Sequence, residues 1–400
     1  MSFILAINAG SSSLKFALYD NEEARADAHA RPHYVGQVQG IGSRPEIALK
    51  GPDGARIDLG GLAAGLGVIT DAAGAVPAMF EALAAAGVDH GAVEFTSHRL
   101  VHGGAIFTAP VVVDDGIVTE LQKLTALAPL HNPAGVGALG RVRELLPRAV
   151  HVACFDTAFH AAQPDVATRL PLPKAWRDKG YRRYGFHGLN YEHVVDALPG
   201  ISGAPLPSRL IVFHLGNGSS AAAIRDGRCV ASTMGYSPLD GLIMGTRTGA
   251  LDPGVVLAML AEPDTTFADV ERVLWRESGL KGLSGGTSDM RALLARDDAE
   301  ARAAVESFCF AAAYHAGGLA STLGGVDAIV FTGGIGENAA PVRAGIVARL
   351  AWLGAAIAAV PNPANPALLS TDDSRVAIWR VVADEERILV RHAVRLRRAT

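Results

Sequence analysis

The stretch FILAINAGSSSLKFAL, residues 3–18, decides the fold. Residues 3–7 are a run of apolar side chains with the length of a buried strand. Asn8-Ala9-Gly10-Ser11-Ser12-Ser13 breaks the run with turn-forming residues. Alternation then resumes, with Leu14, Phe16 and Leu18 on one face and Lys15 on the other, so the pattern is strand, turn, strand. Half a chain later it recurs: LIVFHL (210–215) is broken by Gly216-Asn217-Gly218-Ser219-Ser220, and alternation continues through Ala222 and Ile224. An offset of 208 places Gly10-Ser11-Ser12 on Gly218-Ser219-Ser220, and Leu14 and Phe16 on Ala222 and Ile224. Self-similarity on that scale points to two copies of one supersecondary unit, and the period is too long for a solenoid. Chance likeness of two Gly/Ser turns is the competing reading.

The rest of the chain has the material for two such copies. At about 150 residues per domain, 400 residues give two to three domains. With 49% apolar and 19% charged residues, large cores are available, which excludes a disordered chain, a coiled coil or a small disulfide scaffold. A net charge of −4 creates no field that would draw nucleic acid or an acidic membrane. Cys154, Cys229 and Cys309 are widely spaced without a CxxC pair, as expected of reduced, buried thiols in a cytosolic protein. The opening apolar run is too short for a signal peptide, and no 18 consecutive residues are apolar. The expectation is a soluble cytoplasmic protein with no membrane or nucleic-acid partner. Thirty of the 36 basic residues are arginine, a bias that genome base content alone produces, so arginine abundance does not mark an anion site.

Helical patterns cover 76–86, 134–146 and 341–353, and a basic helix closes the chain. Strand patterns cover 94–101, 149–155 (ending at Asp156), 326–332 and 376–382. The irregular stretch 163–183 is a candidate boundary, and 199–208 is a second loop. Strands alternating with helices give an α/β architecture.

A Gly/Ser turn between strands can aim backbone N–H groups and hydroxyls at one anion, with Lys15 adding charge, or it can be an ordinary hairpin. No GxxxxGK[ST] motif is present. Gly334, Gly336 and Ala339 satisfy GxGxxA between a strand and a helix, but Gly354 stands where a dinucleotide site needs an acid. A nucleotide site fits better; a tight, ligand-free connection is the alternative. Arg99, ending an apolar strand, and Arg247, among small residues in Met244-Gly245-Thr246-Arg247, could clamp a carboxylate and a transferring phosphoryl group, or form structural ion pairs. His98 and His102 share an i, i+4 spacing, yet without HExxH or cysteine pairs zinc is disfavoured. His131 and His187 sit in rigid turns, as ligands of substrate or as core histidines. Asp156 and Glu385 follow strands, as Mg²⁺ ligands or as helix N-caps.

These segments together resemble the acetokinase family of the actin-like, sugar-kinase-like ATPase superfamily. The resemblance is carried by residues 8–15 (NAGSSSLK), 98–104 (HRLVHGG), 128–133 (APLHNP), 155–160 (FDTAFH), 183–188 (RYGFHG), 214–219 (HLGNGS), 244–247 (MGTR), Ser288-Asp289, 334–338 (GIGEN) and 384–386 (DEE), in order over nearly the whole chain. It implies two duplicated ββαβαβα domains, ribonuclease H-like in fold, with nucleotide in an interdomain cleft. One domain, 1–158 with 385–400, would take the acyl substrate and phosphate; the other, 159–384, would bind the nucleotide, with hinges near 157–163 and 383–386. The activity implied is reversible transfer of a phosphoryl group from ATP to acetate, with propionate as the alternative acid, by a homodimer using Mg²⁺ or Mn²⁺.

The resemblance also implies roles. Asn8 and Glu385 would hold the metal, and Glu386 competes with Glu385 for that role. Lys15 would lie near the phosphates, and Arg99 would bind the substrate carboxylate. Asp156 would be the catalytic acid, and His187 and Arg247 would stabilise the transferring phosphoryl. His214, Leu215, Gly216, Asn217, Gly218, Asp289, Met290, Arg291, Gly334, Ile335, Gly336, Glu337 and Asn338 would line the ATP site. Val101, Leu130, His131, Phe186 and Pro238 would surround the acyl group. Thr248, Ala250 and Arg387 depart from the family pattern, none at a phosphoryl-transfer position. Because acetate is already ionised at pH 7, it needs no general base, which favours a positioning role for Asp156.

Overall fold

A computed structural model describes residues 1–397 apart from 28, 29, 130 and 361. The chain divides into two units: residues 1–158 with the C-terminal segment from Asp384, and Phe159–Ala383.

In the first unit, β1 (Phe3–Ala9), β2 (Ser13–Asp20), β3 (Tyr34–Gln39), β4 (Glu46–Lys50), β5 (Val93–Leu100), β6 (Val111–Val112) and β7 (Val150–Phe155) form one sheet in the order β4-β3-β2-β1-β5-β7-β6. β1 to β4 form an antiparallel meander, whereas β1, β5 and β7 run parallel. Helices α1 (Ala72–Ala85) and α2 (Asn132–Leu145) cover the face carrying Leu5, Ile7, Leu14, Phe16 and Leu18. Asp71 starts α1 by accepting the Gly74 amide proton, a side-chain N-cap.

The second unit repeats this order. β8 (Arg209–Leu215), β9 (Ser219–Arg225), β10 (Arg228–Ser232), β11 (Ala328–Thr332) and β12 (Ala377–Arg380) form the sheet β10-β9-β8-β11-β12, with β8, β11 and β12 parallel. Helix α3 (Gly188–Ser202) packs Tyr191, Val194 and Leu198 on one face. The other face takes α4 (Ala299–Leu323) and α5 (Ala340–Ala348). Alanines at 301, 304, 312, 313, 316 and 320 let α4 approach its sheet closely, and Gly324 (φ 69°) ends it in a left-handed cap. Helix α6 (Glu385–Arg397), which follows β12 in the chain, packs against β1, β5 and β7 of the first unit. Helix α3, which follows β7, packs in the second.

The duplication is present, but the 208-residue offset is wrong. Ala9 faces Leu14 across the first turn and Leu215 faces Ser219 across the second, so the second turn is one residue shorter. Leu5, Ile7, Ala9, Leu14 and Phe16 face α1 and α2; their counterparts facing α4 are Ile211, Phe213, Leu215, Ser219 and Ala221. The true offsets are therefore 206 for the first strand and 205 for the second. Ala222 and Ile224 lie on the opposite face, with α3, because a one-residue slip in a strand flips every side chain. On this alignment Asn8 corresponds to His214 and Lys15 to Ser220.

Two further readings change. Residues 333–338 form a short helix rather than a plain connection: Gly333 adopts φ 77°, and a Cβ added there would lie 2.8 Å from the Leu215 carbonyl oxygen, too close for any side chain. The pattern at 341–353 resolves into α5 and a separate 3₁₀ turn, Ala351–Leu353. The irregular stretch 163–183 lies inside the second unit.

Candidate active site

In the first unit, Asn8, Arg99 and Asp156 stand at the carboxyl ends of three neighbouring parallel strands, where open α/β sheets place ligands. Arg99 donates to both carboxylate oxygens of Asp156, Nε to Oδ1 at 2.9 Å and Nη2 to Oδ2 at 2.6 Å. Its Nη1 donates to Asn8 Oδ1 at 3.0 Å and lies 3.4 Å from Glu385 Oε2. Asn8 Nδ2 donates to the same Glu385 oxygen at 2.9 Å. Glu385 and Glu386 occupy the first turn of α6, where the helix dipole favours negative charge. Burial by itself would lower the pKa of Arg99, but Asp156 and Glu385 more than offset it and hold it above the ordinary value. The Glu386 carboxyl is pushed up by burial and then by Glu385. Lys15, exposed, lies cross-strand from Asn8.

The second unit presents a different electrostatic problem. Arg247 is part-buried, donating from Nη1 to the Pro238 carbonyl at 2.7 Å, with its guanidinium 5.8 Å from the Trp275 ring centre. No carboxylate pairs with it among the described residues. Burial lowers its pKa to about 10, which still leaves it charged at pH 7. A cation kept from water without a counter-charge is costly unless an anion arrives. His187, in a left-handed conformation (φ 57°), begins α3 and stacks on His214 at 4.1 Å between ring centres. A side chain at Gly218 would place its Cβ 3.1 Å from Arg247 Nη2 and 3.3 Å from His187 Nε2. Both donors therefore converge on the space above this glycine.

Beside that point is a cavity of about 690 Å³ lined by Gly216, Asn217, Ser288, Asp289, Met290, Arg291, Leu294, Gly334, Ile335, Asn338 and Ala339. Its volume suits a drug- or nucleotide-sized ligand. Asp289 caps the helix Met290–Ala295 and pairs with Arg291 at 2.8 Å, which lowers its carboxyl to about 2.

The sequence-derived residues thus fall into three sets. Asn8, Arg99, Asp156 and Glu385 form one hydrogen-bonded cluster. His187, Gly218 and Arg247 form a second, and Gly216, Asn217, Asp289, Met290, Arg291, Gly334, Ile335 and Asn338 line the cavity. Leu215 and Gly336 are outside that lining, as is Glu337, whose carboxylate accepts the backbone amides of Gly333 and Ala383 at 3.0 Å each. Val101 and His131 belong to the first unit, Phe186 and Pro238 to the second, where both are buried; Leu130 lies outside the described residues. The histidines at 98 and 102 are buried and held by local hydrogen bonds: Thr96 Oγ1 lies 2.8 Å from His98 Nε2, and His102 Nδ1 accepts the Gly104 amide. No group of three or more potential metal-binding side chains occurs among the described residues.

Sequence reasoning did not find the groups that hold the histidines. Ser220 Oγ lies 2.8 Å from His187 Nδ1, and Asn190 Nδ2 lies 2.8 Å from His214 Nδ1. The one available signal was Tyr191, a polar aromatic one helical turn after His187.

The model of the acetokinase family matches residues 3–391. An acetate kinase of Rhodopseudomonas palustris (strain TIE-1) is 41% identical over 401 residues, covering 98% of each chain. Among solved structures, a propionate kinase from Francisella tularensis superposes with a TM-score of 0.87 at 30% identity, covering 98% of this chain and 99% of that one. A Porphyromonas gingivalis acetate kinase gives 0.85 at 29% identity, covering 99% and 100%. The chain belongs to the acetokinase family.

Proposed function

We propose that this protein transfers the γ-phosphoryl group of ATP to acetate, reversibly and in line, giving acetyl phosphate and ADP. The observation that carries the reading is Arg247: a part-buried guanidinium with no carboxylate partner among the described residues, aimed with His187 at one point beside a nucleotide-sized cavity. An acetate oxygen is already a nucleophile at pH 7, so the barrier is the approach of an anion to a polyanion. Preorganised positive charge lowers that barrier, as in other phosphoryl-transfer sites.

In this reading Arg247 and His187 donate to the equatorial oxygens of the transferring group, and the nucleoside occupies the cavity between Gly334–Ile335 and Met290–Arg291. The second unit is the nucleotide-binding domain and the first the acyl-substrate and phosphate domain. Asp156 engages Nε and one N–H of Nη2 of Arg99, and Asn8 and Glu385 face Nη1, so the substrate carboxylate would take the second N–H of Nη2. Asp156 aims Arg99 rather than moving a proton. The donor chemistry beside Asn8 and Glu385 fits a hard divalent cation, Mg²⁺ or Mn²⁺, which accepts one or two carboxylates and completes its shell with water and phosphate. Bound there, it would neutralise charge on the phosphates. Lys15 would do the same from β2.

In the first unit, Val101 and His131 would contact the acyl group. An apolar pocket discriminates one methylene by only about 1–3 kcal/mol, so propionate should be a secondary substrate. No described helix is long and apolar enough to cross a membrane; the reading places the enzyme in the cytoplasm. It also includes a homodimer. Helix Pro253–Ala261 (PGVVLAMLA) is almost wholly apolar yet buries none of its residues, a surface that association would cover.

The test is ATP with formate, acetate, propionate or butyrate, trapping acyl phosphate with hydroxylamine. Hydroxamate should form fastest with acetate. Failure with every acid would refute the reading, and ATP hydrolysis indifferent to acid would favour an ATP-driven binding protein instead.

A further inference from the structure

The buried end of His187 is tied to two residues outside the donor cluster. Its Nδ1 lies 2.8 Å from Ser220 Oγ, and Ser220 Oγ lies 2.5 Å from the Tyr191 hydroxyl. Ser220 and Tyr191 are both fully buried, and Ser220 Oγ is the sole hydrogen-bond partner of the Tyr191 hydroxyl among the described residues.

The direction of this chain follows from counting protons. Tyr191 carries one donor, which burial keeps protonated by pushing its pKa up. A buried O–H without an acceptor is costly, and Ser220 Oγ is the acceptor available, so Tyr191 donates to Ser220. The Ser220 hydroxyl must then spend its own proton elsewhere, and the only other partner in reach among the described residues is His187 Nδ1. Nδ1 therefore accepts. The neutral ring carries its proton on Nε2, the atom that lies with Arg247 Nη2 above Gly218. The stacked neighbour has the same polarity, since Asn190 Nδ2 donates to His214 Nδ1.

We infer that Tyr191 and Ser220 are positioning residues that fix His187 as the Nε2–H tautomer, so that it serves as a neutral hydrogen-bond donor beside Arg247. The inference rests on the proposed contact of His187 with the phosphoryl group for its catalytic meaning, though not for the tautomer itself. The relay also opposes a doubly protonated ring, because an imidazolium Nδ1–H would leave the Ser220 proton without an acceptor.

The experiment is long-range ¹H–¹⁵N NMR on the whole enzyme labelled with [¹⁵N]histidine, with kinetics on Ser220→Ala, Ser220→Thr and Tyr191→Phe. His187 in the native protein should show the Nε2–H pattern. Ser220→Ala should give mixed tautomers and lower kcat roughly tenfold, the loss of one hydrogen bond, with KM for acetate within twofold. Ser220→Thr, which keeps the hydroxyl, should restore the Nε2–H pattern. Tyr191→Phe keeps the ring in the core and removes only the terminal donor, so it should fold and lose a smaller share of kcat. An Nδ1–H pattern in the native protein, or an unchanged pattern in Ser220→Ala, overturns the relay. If His187→Gln keeps full kcat while the native Nε2–H pattern is present, the relay stands and the phosphoryl role of His187 falls.

Discussion

Replacing Gly218 by alanine tests the convergence of donors directly. The added Cβ would sit 3.1 Å from Arg247 Nη2, 3.3 Å from His187 Nε2 and 3.5 Å from His187 Cε1. These are the distances at which a phosphoryl oxygen would accept hydrogen bonds, so the methyl takes the place of the anion. The fold should tolerate it. Gly218 is not in the left-handed region, and its nearest neighbours are side-chain tips that can shift by a few tenths of an ångström. A stability change within about 1 kcal/mol follows, or a few degrees in Tm. Activity should suffer far more, because displacing a reacting group by about 1 Å costs around 10²-fold, and losing a donor about 10²–10³. The hydroxamate assay should show kcat/KM for ATP reduced by about 10²–10³, with a melting curve shifted by no more than those few degrees. Activity within threefold of the native enzyme, with the fold intact, would show that no anion binds above Gly218.

Three other outcomes follow from the same structure. Arg247→Ala should lower kcat by roughly 10³ or more, by analogy with arginine fingers, and a variant within tenfold of native would remove that role. Stability should fall on acidification below about pH 6.5, since burial lowers the pKa of His98 to about 3 and of His160 to about 4. Above pH 6.5 both are neutral in folded and unfolded states; below it the unfolded chain takes up protons that the folded chain refuses. Each should cost about 1.4 kcal/mol per pH unit until its folded pKa is reached, and urea melts at pH 7 and pH 5.5 that coincide would contradict this. Leu257→Asp, on the exposed apolar helix (Leu257 is 68% exposed), should convert a dimer to monomer in light scattering; an unchanged mass would mean that this helix is not the interface.

The strand–turn–strand units were legible because a continuous apolar run cut short by Gly and Ser is what a buried strand entering a tight turn requires. Their alignment was not, because β9 is buried on both faces and Ser219 to Ile224 are all inaccessible, which erases the alternation that sets parity. The 25-residue α4 was missed for a related reason: its small residues give almost no contrast between its faces. In the candidate site, glycine-rich context pointed to Arg247 and Gly218. Nothing local links Arg99 to Asp156, 57 residues apart, and whether an arginine's fork is free or engaged is a property of the fold. Glu337 illustrates the converse: its motif suggests a ligand contact, yet its carboxylate secures two backbone amides.

The central claim is direct phosphoryl transfer from ATP to a carboxylate. ³¹P NMR of the enzyme with ATP, a divalent cation and acetate tests it most directly. Acetyl phosphate and ADP should appear in equal amounts, and ADP formation should stop when acetate is withheld. ADP with inorganic phosphate and no acyl phosphate, at a rate indifferent to acetate, would contradict the account.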